Sequence, residues 1–161
     1  MITALNSEDY VNNIHKDLIN QDRDSKYWGF IPVRYSLLSP LYNIYTKGSK
    51  FLDLGCGNGN VLRYAKNIGY DVTGVEIDKS FEKYLTDYNY VINNIELLDN
   101  DFYKNFDIIY SYIPIKEGKC NYINKLVNCM KLGAYLVTPH TRVKDERLEC
   151  IDMFVYKKTT K

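Results

Sequence analysis

The feature that most constrains this chain is a short apolar run that leads into three glycines at every second position. Residues 51–59 read Phe-Leu-Asp-Leu-Gly-Cys-Gly-Asn-Gly, so a candidate strand passes directly into Gly55, Gly57 and Gly59. Glycine permits positive φ and a close approach of ligand to backbone, and a helix from about Asn58 would offer free N–H groups behind the turn. The segment therefore predicts a strand, a turn and a helix that hold a ligand at the carboxyl end of the strand.

Beyond this loop, apolar runs of strand length alternate with helical patterns. The strand candidates are 51–54, 72–76, 90–93, 107–111 and 134–138, and the helical segments lie near 58–68, 79–87 and 119–131. Such alternation predicts crossover units, and hence an α/β fold with a mostly parallel central sheet and helices on both faces. The final apolar run, 153–156, is predicted to be an antiparallel edge strand.

The chain before the first strand carries two helical patterns. Apolar residues at helical spacing predict an amphipathic helix over 7–20. They also predict a second helix over 33–45 that is interrupted or kinked near Pro40, with Gly48 marking its exit. The 161 residues fit one domain, with an amino-terminal helical segment at 1–48 and the sheet-bearing core at 49–161.

Charge and composition indicate which binding partners and which cellular compartment to expect. The net charge of +1 supplies no overall attraction for nucleic acid or an anionic membrane. No apolar run approaches the roughly 18 to 20 residues of a membrane span, and no basic and apolar leader opens the chain. The four cysteines, Cys56, Cys120, Cys129 and Cys150, form no CxxC pair and have no histidine at zinc-ligand spacing. We therefore expect no metal site, free thiols and a cytoplasmic location.

The spacing of the glycines separates two kinds of cofactor site. A dinucleotide fingerprint, G-x-G-x-x-G, would need its third glycine at position 60, which is Asn60. The actual pattern, with Asp53 before Gly55-x-Gly57-x-Gly59, resembles motif I of the class I S-adenosylmethionine-dependent methyltransferases. The resemblance implies a Rossmann-like fold, S-adenosylmethionine as the cofactor and methyl transfer as the activity. It also implies that Asp53 and the turn, including Cys56, hold the cationic amino-acid end of the cofactor.

The ends of the next two strands supply further candidates. Glu76 closes the run 71–76, where a carboxylate could accept two hydrogen bonds from a ribose diol, or alternatively could be a solvated strand end. The resemblance places Ile77 beside the adenine. It assigns the contact with the adenine amino group to Asn94, with Asn93 as a rival, and adds Ile95 to the same pocket.

The fourth strand resembles motif IV, whose end faces both cofactor and acceptor. Residues 110–114 are accordingly expected to line the active site, with Tyr110 next to the cofactor. The Asn/Asp-Pro-Pro-aromatic tetrapeptide of amino-methylating nucleic-acid enzymes is absent, since residues 111–114 read Ser-Tyr-Ile-Pro, so a nucleic-acid acceptor is not favoured. Tyr112 and His140 are the candidate catalytic residues; His140 is alternatively a surface or packing residue.

The resemblance covers residues 50 to about 138. Because 23 residues follow Thr138, the terminal helix and two-strand hairpin usual in the family are expected to be abbreviated.

The aromatic residues Tyr27, Trp28 and Phe30 either form a lid over the cofactor or pack on the sheet. An aromatic-Ile-Pro segment about 20 residues before motif I, in a short chain with a Tyr-rich fourth strand, is similar to small protein lysine methyltransferases. The favoured acceptor is thus a protein lysine or a small molecule. A noncatalytic cofactor-binding module, or a partner subunit of a larger methyltransferase, stays open as the alternative.

Overall fold

The computed structural model describes residues 38–112, 121–139 and 141–161, in which seven strands form one sheet. The strands are β1 Lys50–Leu54, β2 Asp71–Glu76, β3 Asn89–Ile92, β4 Ile108–Ser111, β5 Tyr135–Val137, β6 Leu148–Asp152 and β7 Val155–Lys158. Their order across the sheet is β3-β2-β1-β4-β5-β7-β6. β1 to β5 are parallel, whereas β7 runs antiparallel to both of its neighbours. The prediction of a Rossmann-like α/β fold is confirmed.

Four α-helices and two 3₁₀ helices are described. The α-helices are α1 Ser39–Asn43, α2 Asn60–Ile68, α3 Asn100–Tyr103 and α4 Asn121–Cys129, and the 3₁₀ helices span Lys79–Tyr84 and Ile95–Leu97. The helices expected near 58–68 and 119–131 are therefore confirmed. The segment expected near 79–87 is a 3₁₀ helix, which Asp78 starts by accepting a hydrogen bond from the Ser80 N–H at 2.9 Å.

Side chains alternate across the sheet into two cores. Phe51 of β1 lies in one buried cluster with Leu62 and Ala65 of α2. Leu52, the next residue, lies in a second cluster with Leu126 of α4. Because successive residues of a strand point to opposite faces, α2 and α4 cover opposite sides of the sheet, as the sequence predicts.

The helix before the first strand begins at Ser39, so Pro40 lies in its first turn and does not kink it. Pro40 occupies the first turn of α1, where its missing N–H costs no hydrogen bond. The Tyr70 hydroxyl donates to the Leu41 carbonyl at 2.6 Å, which fastens α1 to the start of β2. Residues 33–37 of the expected helix, and the helix expected over 7–20, lie outside the described residues.

The carboxyl-terminal region differs from the prediction in two respects. The last strand is antiparallel as expected, but it spans 155–158 and lies inside the sheet, because β6 takes the edge. The two-strand hairpin is present, with Met153 and Phe154 in its turn. What is abbreviated is the connection from β5 to β6, in which the described residues 138–139 and 141–147 contain no helix.

No helix in the described ranges combines the length and apolar character that crossing a membrane requires.

Gly74 in the middle of β2 leaves room for the loop that follows β1. A Cβ atom at Gly74 would lie 2.6 Å from Cys56 Sγ and 2.7 Å from Leu62 Cδ1. We expect Gly74→Ala to lower the free energy of unfolding by about 1 to 3 kcal/mol, the range typical of overpacking, measured by urea denaturation. Adding Cys56→Ala removes one clashing atom and should recover part of the loss. Equal stability of Gly74→Ala and the wild type would contradict this packing.

Candidate functional site

The loop between β1 and α2 explains why three glycines occur at every second position. Gly55, Gly57 and Gly59 have φ of 78°, 51° and 83°, a left-handed conformation that residues with a Cβ rarely adopt. The N–H groups of Gly55 and Cys56 both donate to the Val75 carbonyl, at 2.8 and 3.0 Å. The loop is therefore held against the carboxyl end of β2, with the first turn of α2 behind it.

Glu76 connects the same loop to the end of β2. Its Oε2 accepts a hydrogen bond from the Gly57 N–H at 2.7 Å, and its Oε1 accepts from the N–H groups of Ile77 and Asp78, both at 2.9 Å. The side chain is 7% exposed. Three backbone donors thus fix a buried carboxylate at the strand end, and its remaining lone pairs can accept from a ligand.

Asp53 lies beside Glu76 and is almost fully buried. It pairs in register with Gly74 of β2 on one side and with Tyr110 of β4 on the other. Burial, and secondarily the negative charge of Glu76, raise the pKa of the Asp53 carboxyl well above its usual value. A cation placed here would restore the ionised form, so the position suits a positively charged ligand group.

Two further buried polar atoms, in the glycine loop and in β4, have no hydrogen-bond partner among the described residues. They are Asn58 Oδ1, in the glycine loop, and the Tyr110 hydroxyl, one strand away from Asp53. Buried polar groups in proteins are almost always paired with protein or water, so each of these two atoms has capacity for a further hydrogen bond.

The adenine end expected from the sequence is built from the loops after β2 and β3. Ile77 is 40% exposed and Ile95 is half-buried. Asn94 Oδ1 already accepts from the Glu96 N–H at 2.9 Å, which starts the 3₁₀ helix, while Asn93 Oδ1 accepts from the Asn94 N–H at 2.8 Å. Each oxygen keeps a second lone pair, so the contact with the adenine amino group stays open between the two residues.

The remaining predicted residues divide into three groups. The Cys56 side chain is buried in the core, packed toward Gly74 and Leu62. Only the backbone of Cys56 therefore contributes to the surface of the glycine loop. Tyr112 is half-buried at the end of β4, against the core cluster that includes α2. His140 and the aromatic residues Tyr27, Trp28 and Phe30 lie outside the described residues, as do residues 113–114.

The sequence analysis missed Asn58. Its position inside the glycine turn was a usable signal, because a polar side chain between two left-handed glycines must lie close to whatever the turn binds. Ser111, inside the expected range 110–114, is 3% exposed, and its hydroxyl has no hydrogen-bond partner among the described residues. Tyr122 of α4 lies next to Ser111, but its hydroxyl likewise lacks a partner of hydrogen-bonding geometry.

Comparison with known proteins bears on this site directly. Residues 52–115 match a family model described as a methyltransferase domain. The fold matches an S-adenosylmethionine-dependent methyltransferase from Mesorhizobium loti with a TM-score of 0.51 and 20% identity, over 62% of this chain and 50% of that one. It matches one from Archaeoglobus fulgidus with a TM-score of 0.51 and 27% identity, over 66% and 52%.

A third match, a methyltransferase from Thiobacillus denitrificans, has a TM-score of 0.57 and 18% identity over 74% of this chain and 54% of that one. That protein was crystallised with S-adenosylhomocysteine. Residues 52–115 thus match a methyltransferase domain, and the described fold is shared with S-adenosylmethionine-dependent methyltransferases. The family-model match includes the glycine loop from which the resemblance was drawn, and the fold that the resemblance implies is confirmed. No curated protein matches the chain.

The chain spans about half the length of these methyltransferase structures. The matched family segment, 52–115, contains the glycine loop, Glu76 and the end of β4. It therefore includes every residue that the sequence predicts to contact the cofactor, from Asp53 to Tyr110.

The buried Asp53 carboxyl should make stability depend on pH. Its pKa is raised in the folded state, so its contribution to stability is present below the ordinary Asp pKa and is lost as the pH rises through the folded value. Asp53→Asn cannot ionise, so we expect it to melt above the wild type at pH 8 and close to it at pH 4, by calorimetry. Asp71→Asn, at an exposed position, is the control. A constant difference for Asp53→Asn across this range would contradict the raised pKa.

Proposed function

We propose that this chain binds S-adenosylmethionine and transfers its methyl group to an acceptor, a protein lysine or a small molecule. The observation that carries the proposal is the buried pair of carboxylates, Asp53 and Glu76, on either side of a loop whose three glycines are left-handed. This arrangement offers acceptors and a positively polarised helix end to a ligand that combines a diol, an ammonium and a carboxylate.

Each end of the cofactor has a counterpart in the site. The lone pairs of Glu76 left by its backbone donors would accept from the ribose hydroxyls. Asp53 would face the ammonium group, and the first turn of α2, where Gly59 provides no side-chain cap, would face the carboxylate. Ile77 and Ile95 would flank the adenine, with Asn94 or Asn93 at its amino group.

When bound, the cofactor supplies a methyl group that is already activated by its sulfonium. Displacement by an acceptor atom would form a bond to the methyl carbon and break the carbon–sulfur bond, whose electrons would stay on sulfur. The protein has to align the acceptor and exclude water. We assign Tyr112, at the end of β4, and His140, outside the described residues, to the acceptor side, where either could take the proton that the acceptor loses.

A protein lysine or a small molecule is preferred over nucleic acid as the acceptor. The net charge of +1 provides no general attraction for a polyanion, and residues 111–114 lack the tetrapeptide of amino-methylating nucleic-acid enzymes. A lysine acceptor would have to lose its proton before attack, which desolvation in the pocket or a nearby base would favour.

A second candidate function is a noncatalytic cofactor-binding module or a partner subunit. The described part of the connection from β5 to β6 contains no helix, and the chain spans about half the length of the methyltransferase structures above. Either fact would fit a subunit that binds the cofactor but relies on another chain for the acceptor. Turnover by the purified protein alone separates the two functions.

Calorimetric titration tests cofactor binding. We expect the wild type to bind S-adenosylmethionine and S-adenosylhomocysteine but not NAD. Asp53→Ala and Glu76→Ala should each weaken binding about 10-fold or more, because each removes a charged hydrogen-bond acceptor worth roughly 1.5 to 3 kcal/mol.

Asp71→Ala is the matched control, since this carboxylate at the start of β2 is exposed and far along the strand from Glu76. Glu76→Gln keeps the shape of the side chain if the alanine variant does not fold. Binding of NAD alone, or unchanged binding in folded Asp53 and Glu76 variants, would refute the proposed function.

If Tyr112 and His140 act on the acceptor, their replacement should lower kcat without changing the affinity for the cofactor. With an acceptor found by screening peptides and metabolites for methyl transfer, Tyr112→Phe and His140→Ala should lower kcat at least about 10-fold, as loss of a proton-transfer group does. The dissociation constant of S-adenosylhomocysteine should stay within about 2-fold of wild type. A loss of cofactor binding equal to the loss of kcat would move both residues to the cofactor site.

A further inference from the structure

A groove with a volume of about 360 Å³ lies between α1 and the hairpin that β6 and β7 form. Pro40 and Ile44 line it from the side of the helix, and Tyr135, Val155 and Ile151 line it from β5, β7 and β6. None of the residues that line the groove belongs to the predicted cofactor site. The groove is therefore a separate feature, on the half of the sheet away from β2 and β3.

The floor of the groove continues the core on the α2 face of the sheet. Val155 is fully buried in the cluster that also contains Leu41, and Ile44 and Tyr135 pack against this cluster. Ile151, in contrast, is 45% exposed. Within the described residues, α1 is the only helix that lines the groove. An apolar segment in the groove would extend this core across β7 and β6.

Polar groups in the lining favour an occupant that carries hydrogen-bond donors as well as apolar surface. Asp152 Oδ1 accepts from the Met153 N–H at 2.7 Å, and no ion pair of Asp152 is found among the described residues. Asn43 and Thr46 add an amide and a hydroxyl. Tryptophan and tyrosine combine a large apolar ring with one N–H or O–H donor, so they suit this mixed lining better than aliphatic side chains do.

The chain itself contains a segment of this chemistry. Residues 27–31 read Tyr-Trp-Gly-Phe-Ile, and the charged residues between positions 25 and 37 are Lys26 and Arg34. Both are positive, so they complement the carboxylate of Asp152.

The same segment is close enough along the chain to reach the groove. Phe30 lies eight residues before Leu38, which is buried where α1 begins. Eight extended residues span at most about 26 to 29 Å. The distance from β5 across β7 to β6 is about 10 Å, so the segment can cover the whole width of the groove.

We propose that the aromatic segment 27–31 of this chain docks in the groove and completes the core on this face. Tyr27, Trp28 and Phe30 then pack on the sheet and do not form a lid over the cofactor. This inference goes beyond the proposed function and does not depend on it, because the groove contains no residue of the predicted cofactor site.

Fluorescence tests the docking directly because Trp28 is the only tryptophan of the chain. Ile151→Glu places a charge on the floor of the groove, and Asn43→Arg places a long cationic side chain on its opposite wall. In the protein without ligand, we expect either variant to shift the Trp28 emission to longer wavelength and to increase its quenching by acrylamide. Asn43→Arg carries the test if Ile151→Glu does not fold.

Leu132→Glu is the matched control, since Leu132 is 56% exposed and does not line the groove. Its emission should equal that of the wild type. Urea denaturation adds a double-mutant cycle. The losses of stability caused by Trp28→Ala and Ile151→Glu should not add, because both remove the same contact, whereas those caused by Trp28→Ala and Leu132→Glu should add.

A shift in the groove variants that Leu132→Glu lacks, together with a non-additive cycle, supports the docking. Identical emission in the wild type and the folded groove variants would overturn it, as would an equally large shift in Leu132→Glu or additive losses in both cycles. A change of the wild-type emission on titration with S-adenosylhomocysteine, without any response to the groove variants, would also overturn it and would assign the segment to the lid.

Discussion

The hydrogen bond from the Gly57 N–H to the Glu76 carboxylate is the contact on which the site depends. It joins a loop that cannot be helical or extended, because its glycines are left-handed, to the end of the neighbouring strand. The same carboxylate accepts from the N–H groups of Ile77 and Asp78, so it also shapes the turn toward the adenine end. One buried side chain thereby sets the distance between the glycine loop and the loop after β2.

The sequence predicted the parallel part of the fold because strands buried on both faces are continuous apolar runs, which is a strong local signal. The carboxyl-terminal hairpin was harder to predict from the sequence. β6 is largely exposed and has no apolar run to mark it. Lys158 in β7 is buried and donates to the Met130 carbonyl at the end of α4, at 2.7 Å, a contact between distant parts of the chain that no local pattern contains. The effect of Pro40 was predicted wrongly because it depends on where the helix starts. A proline in the first turn is compatible with a helix, whereas a proline in the interior breaks or kinks it.

At the site, residue types and spacing predicted the positions of Asp53 and Glu76 but not their environments. The raised pKa of Asp53 comes from burial between Gly74 and Tyr110, which lie 21 and 57 residues further along the chain. The inward turn of Cys56 depends on Gly74 having no side chain. The place of Asn58 in the glycine turn is visible in the sequence, but its burial and its oxygen without a partner among the described residues are properties of the three-dimensional surroundings.

The position of β7 between β5 and β6 governs the order in which this sheet can assemble. β6 emerges from the ribosome before β7 but has no neighbour in the sheet until β7 is in place. β5 likewise has one side unpaired until then. The parallel strands that carry the glycine loop can pair during synthesis, while the far half of the sheet has to wait for the last strand. A translation pause before residue 155 would therefore leave β6 unpaired and one edge of β5 open, and such open edges favour aggregation of the nascent chain.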